Sequence, residues 1–226
     1  MTQITDQIAE SFVNQLARAA FDGIGPFAPA RQVAEDALRR TGDREAAIDE
    51  LVSSHTRLAG TSGFATGLGG FMVLPVALPA NVLSFYTLAA RLVAAIAHLR
   101  GHDLTQPETR VAVLVSLTGD QASKLLAKAG VMAPAGRMTK VALRGLPIST
   151  MAIVNKALGF KLLIGAGEKG LARLGRAIPL VGGVIGGTID IAMIRSIGNH
   201  ARGEFPPHDA TTPALAQAQG RPAAGQ

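Results

Sequence analysis

LAGTSGFATGLGGFMVLPVALPANVLSFYTLAA, residues 58–90, runs for 33 residues without a charged side chain and is broken by Pro75 and Pro79. Proline in the first turn of a helix gives up no hydrogen bond. The spacing therefore predicts a helix over 61–74, a break across the two prolines and a longer helix over 79–99. The first piece offers about 14 residues where a bilayer crossing needs about 20. The second carries Arg91 and His98 in its last third. Neither reads as a full transmembrane pass, although a half-inserted hairpin fits. A second stretch, IPLVGGVIGG over residues 178–187, repeats the composition. In the first stretch Gly63, Gly67 and Gly70 stand three or four apart; in the second, Gly182 pairs with Gly186 and Gly183 with Gly187. On a helix these make stripes without side chains, which let two backbones approach closely. Each glycine costs about 1 kcal/mol of helix propensity against alanine, so the stripes call for a compensating contact. The expected fold is all-α: a multi-helix bundle around a central glycine-rich apolar helix pair.

Working outward, helical periodicity recurs and strand alternation does not. Ile4, Ile8, Phe12, Val13 and Leu16 follow the spacing of an amphipathic helix, and Asp43 is placed to cap another that turns Ile48, Leu51 and Val52 inward. Gly25-Pro26 and Thr41-Gly42 mark turns. Thr105-Gln106-Pro107-Glu108 has the form of a capping box, with the threonine hydroxyl directed to the third amide. From Glu204 onward, Pro206-Pro207, Pro213 and Pro222 lie among Ala, Gln and Gly. That composition predicts one domain over 1–203 and a disordered tail over 204–226.

Only 17% of the 226 residues are charged, against about 25% in soluble domains, and 48% are apolar. The absence of cysteine removes disulfides, thiolate nucleophiles and cysteine zinc sites. The N-terminus Met1 to Asp6 has no basic segment leading into an apolar run, which predicts cytoplasmic residence without a signal peptide. The net charge of +6 is uneven: residues 1–60 carry six basic and nine acidic side chains, residues 121–176 ten and one. A cationic block suits nucleic acid or anionic lipid. Single-strand binders stack bases on aromatic rings, yet this block holds only Phe160, so nucleic acid is not an expected partner. Lys124 and Lys128, and then Arg137, Lys140 and Arg144, fall at helical spacing opposite Leu125, Met138 and Val141. These five are the candidates for lipid headgroups. Solvated surface faces are the plainer reading of the same residues.

Motifs for chemistry are sparse. Gly165-Ala166-Gly167-Glu168-Lys169-Gly170 matches a dinucleotide fingerprint, with Asp190 twenty residues beyond Gly170. The fingerprint needs that acid at the end of a second strand, whereas Asp190 sits in a run of helical periodicity. No cofactor is therefore expected. A carboxylate among apolar residues needs a partner; Asn81, Arg91 and Arg195 are the candidates, Arg195 at a poor spacing for the same helix face. Such a set reads as a buried pair holding helices in register more readily than as chemistry. His98 and His102 stand four apart, but Gly101 between them ends a helix, and no metal site is expected. No catalytic residue is assigned.

Gly63-Phe64-Ala65-Thr66-Gly67-Leu68-Gly69-Gly70, Leu74-Pro75, Leu78-Pro79-Ala80, Arg91 with Ala95-Ile96-Ala97, and Gly101-His102-Asp103 together resemble the EcsC family of bacterial proteins. So does the run from Ile178 to Gly187, followed by Asp190, Arg195-Ser196-Ile197-Gly198 and Phe205. The likeness covers about Leu51 to Phe205. It departs at His102, where members often have tyrosine, and near Ala77, where many carry an acid. The resemblance implies a bacterial, helical, membrane-associated accessory protein acting beside ABC-type transport or in envelope processes, with no established reaction. The sequence reading is thus a non-enzymatic protein, peripheral at the inner face of the membrane. Two alternatives are a soluble bundle that holds a lipid or other apolar ligand, and a protein that inserts into and permeabilises membranes.

Overall fold

The computed structural model describes residues 2–24, 28–68, 74–119, 122–128, 130, 147, 149–159, 161–162 and 179–207. The chain is all-α. Helix α1 (Thr2–Ala17) runs into a π-helical turn (Arg18–Asp22), followed by α2 (Ala30–Thr41), α3 (Arg44–Leu68), α4 (Leu74–Leu99), α5 (Pro107–Ser116) and α6 (Ala122–Lys128). Residues 149–159 form α7, and α8 (Pro179–Glu204) closes the described chain.

Local chemistry sets the boundaries. Gly42, at φ 72°, ends α2 and donates its N–H to the Leu38 carbonyl at 2.8 Å; a left-handed backbone suits glycine, which has no Cβ to clash. One residue on, the Asp43 carboxylate accepts the Ala46 N–H at 2.8 Å and starts α3, as the sequence predicts. The expected helix from Asp43 and the expected helix over 61–74 are one element of 25 residues ending at Leu68. Gly60 does not stop it, because close packing against Ile191 of α8 compensates for its low propensity. No break falls between the prolines: α4 starts at Leu74 and runs through both, which puts Pro75 in the first turn, where no donor is missed.

The capping box does not form. Asp103 takes the Thr105 hydroxyl at 2.7 Å and the Thr105 N–H at 2.8 Å, a carboxylate being the stronger acceptor. Gln106 then caps α5 through its backbone, with Pro107 in the first turn. In α1 the buried stripe is Ala9, Val13 and Leu16, continued by Ala20; Ile8, expected inward, is exposed because it lies one step off that stripe.

The centre of the described core is the alanine-rich half of α4. Every residue from Tyr86 to Ala97 is buried, as befits a helix apolar on all sides. Ala89, Ala90, Ala94, Ala95 and Ala97 let neighbours come close, and Leu92 and Ile96 fill the gaps. The side chains of residues 62–82 and 179–186, which carry the expected glycine-rich pair, lie outside the described set. Around α4 pack α1, the π-turn, α2, α3, α5 and α8.

The pair α3 and α8 forms the largest interface. Asp49 pairs with Arg202, a Cβ at Gly198 would come within 2.9 Å of Val52, and one at Gly60 within 2.9 Å of Ile191. Each step forward on α3 is matched by a step back on α8, so the two are antiparallel. Helices α3 and α4 are also antiparallel, held by Arg100–Glu45 at 2.9 Å and by a bond from Arg91 to His55. The C-terminal end of α3 therefore lies beside the N-terminal ends of α4 and α8.

The packed domain extends beyond residue 203. Glu204 and Phe205 are buried, and the Pro206 carbonyl accepts from His102 Nε2 at 2.9 Å. The remainder of the expected tail, from 208, lies outside the described residues, as do Gly25-Pro26 and Gly70.

Candidate functional site

Three buried polar side chains lie on α3, α4 and α8, two of which, His55 and Arg91, are bonded to each other. His55 on α3 is 1% exposed, Arg91 on α4 is 6% and Asp190 on α8 is 3%. His55 joins the inward positions Ile48 and Leu51, and its Nδ1 lies 2.8 Å from the Leu51 carbonyl. Arg91 Nε donates to His55 Nε2 at 3.3 Å. A guanidinium only donates, so Nε2 carries the lone pair and the proton sits on Nδ1, donated to Leu51. This is the neutral imidazole. Burial, then the Arg91 charge, push the His55 pKa down from 6.5 to about 4, against the opposing pull of the Leu51 carbonyl. Burial lowers the Arg91 pKa as well.

The imidazole is thus a fixed polar contact between two helices at neutral pH, and its protonation is coupled to folding. The unfolded chain binds the proton first, so stability is full above about pH 6.5 and falls as pH drops toward 4. The gap between the two values corresponds to about 3 kcal/mol. Urea denaturation across this range should lose stability in the native chain, and His55→Gln, which keeps an acceptor toward Arg91, should remove that part of the slope. An unchanged slope in the variant would contradict the assignment.

Of the four residues expected to form a buried pair, Arg91 and Asp190 are buried as expected. Arg195 is exposed, so it does not join them: five residues from Asp190 turn it about 140° away on the same helix. Asn81 lies in α4, its side chain outside the described set. Asp190 lies well inside a helix, not at the end of a strand, and the run Gly165–Gly170 falls outside the described residues.

Gly63 and Gly67 lie in α3, and Gly182, Gly183, Gly186 and Gly187 in α8, where Gly187 is buried. Among the described residues the close approaches include Gly60, Gly159 and Gly198, none of which the sequence singles out as a packing glycine, although Gly60 stands three before Gly63. Of the headgroup candidates, Lys124 is exposed on α6 and Lys128 ends that helix. Arg137, Lys140 and Arg144 lie outside the described residues.

His98 and His102 go separate ways. His98 faces Glu35 at 3.6 Å. Gly101, at φ 83°, ends α4, and the His102 ring meets Phe205 edge to face at 5.4 Å. Two segments far apart in the chain thus meet there. Among the described residues no group of three His, Cys, Asp or Glu side chains is placed to hold a metal ion. No family model, curated protein or solved structure matches the chain.

Proposed function

We propose that this is a non-enzymatic, peripheral membrane-associated protein that rests one end of its α3/α4/α8 bundle in a single leaflet. The observation that carries the reading is topological: the antiparallel arrangement gathers both uncharged stretches at one end. From Leu58 to Leu68 on α3 and from Pro179 to Ile189 on α8 there is no charged residue. Each of these segments rises about 16 Å, close to the depth of one leaflet in a hydrocarbon core of about 30 Å. Among the described residues no helix is long and apolar enough to cross a membrane, which agrees with partial entry. Leu58 and Ile189, 50% and 37% exposed, stand at the base of this end. Ion pairs between helices, Arg40–Glu50, Arg100–Glu45 and Arg202–Asp49, lie toward the other end. The resemblance to the EcsC pattern supports the same reading and extends it to an accessory role beside ABC-type transport or in envelope processes at the inner face of the membrane. Lys124 is available to add headgroup attraction.

Co-sedimentation with neutral and with anionic liposomes tests the proposal. Binding to both that persists at high salt is the expected result, because apolar entry does not depend on screening. Binding to anionic liposomes alone that salt abolishes would replace leaflet entry with a basic-face contact, and no binding to either would overturn the reading.

A further inference from the structure

We infer that Arg57 and Arg195 form a girdle for the phosphates of anionic phospholipids, at the level where the uncharged end meets water. The inference rests on the proposed membrane contact. Continued from Asp49–Arg202 and Val52–Gly198, the antiparallel register sets Arg57 on α3 level with Arg195 on α8. At about 100° per residue both arginines turn to the same outer side of the seam between the helices, away from α4. Both are exposed. Their exposed neighbours one turn away are Ser53 and Thr61 on α3, and Ala192 and Asn199 on α8. None is acidic.

Two guanidinium groups side by side without a carboxylate repel each other, and other arginines of the bundle have acidic partners: Arg31 with Glu35, Arg40 with Glu50, Arg100 with Glu45, Arg110 with Asp22. Arg57 and Arg195 have no ion-pair partner among the described residues. Two features make phosphate the complementary occupant. Guanidinium binds phosphate through two parallel N–H bonds, and the serine and asparagine nearby add neutral donors. The height of the pair selects the lipid source: beyond it, toward the end of the bundle, both helices are uncharged for about one leaflet. Arginines at that height reach headgroups while the end enters the acyl region. Arg195 thereby acquires a role outside the buried pair to which its sequence spacing poorly suited it.

The test compares the native chain with Arg57→Glu/Arg195→Glu and with Lys124→Glu, each verified as folded by circular dichroism, on neutral phosphatidylcholine vesicles and on vesicles containing phosphatidylserine. The double variant is expected to lose its preference for phosphatidylserine, with partition into those vesicles falling at least about tenfold, while binding to neutral vesicles stays. Lys124→Glu should fall by a smaller factor. Equal falls for the two variants per charge reversed would reduce the girdle to net charge and overturn it. Unchanged partition of the double variant would also overturn it and leave the leaflet reading standing. Absence of native binding to both vesicle types would remove both. Inorganic phosphate should not compete at concentrations where the vesicles do; effective competition would assign the pair to a free anion instead.

Discussion

Gly159→Ala is expected to unfold the seam between α1 and α7 and to lower the melting temperature by roughly 6–12 °C. A Cβ at Gly159 would stand 2.4 Å from the Ala9 carbonyl oxygen and 2.8 Å from its carbon. Those are backbone atoms of a helix, and no rotamer change relieves them. The two helices must separate there, which loosens the core that Val13, Leu16 and Leu158 share. Overpacking of this kind costs up to about 3 kcal/mol or more, and a chain of this size loses about 2–4 °C per kcal/mol. Gly203→Ala is the matched control. Gly203 lies in α8 with open space around it, so alanine there should leave stability unchanged or raise it by up to about 1 kcal/mol. Thermal melts of the two variants decide the matter; an equal effect at both sites would contradict the close crossing.

Arg91→Ala should cost about 3–5 kcal/mol. It removes a long, buried side chain from the centre of α4, which opens a cavity, and it strips His55 Nε2 of its donor, leaving a buried acceptor unsatisfied. Replacing both partners with apolar residues, Arg91→Met with His55→Leu, should recover much of the loss, because a shape-matched apolar pair leaves no polar group stranded. The double-mutant cycle should therefore show coupling on the order of 1 kcal/mol or more. Arg91→Met alone also takes away a positive charge that holds the imidazole neutral, so the His55 pKa should rise from about 4 while burial keeps it below 6.5. Histidine resonances followed by NMR against pH measure this directly. A downward movement would show that Arg91 does not face the ring.

The parts of the fold legible in the sequence are those governed by neighbours along the chain. Asp43 and Gly42 announce a helix start and stop because capping depends on residues three or four away, and the all-α class follows from periodicity. The misplaced boundaries depend on contacts from elsewhere. Gly60 looks like a breaker until Ile191 of α8 is packed against it, and Glu204 and Phe205 look like a tail until His102 and the end of α4 are in place. Thr105 does not cap because the helix begins one residue later, with Gln106 at the cap position, while the Thr105 hydroxyl donates to Asp103.

The candidate site divides the same way. Burial of Arg91 and Asp190 was readable from the apolar residues flanking them. His55 was not singled out, although its spacing from Ile48 and Leu51 put it on the inward stripe, since a lone histidine carries no signal until its partner on another helix is known. The level placement of Arg57 and Arg195 depends on the register of α3 against α8, which no segment encodes alone.

The claim that the uncharged end enters a leaflet is tested most directly by depth-dependent quenching. The chain has no tryptophan, so Leu58→Trp, at the base of that end, supplies a single reporter, with Arg44→Trp at the opposite end of α3 as the comparison; both positions are exposed. With vesicles brominated at successive acyl positions, Leu58→Trp is expected to shift to the blue and to be quenched most strongly by shallow bromines, while Arg44→Trp stays unquenched. No quenching of Leu58→Trp, or equal quenching of both, would contradict entry by this end of the bundle.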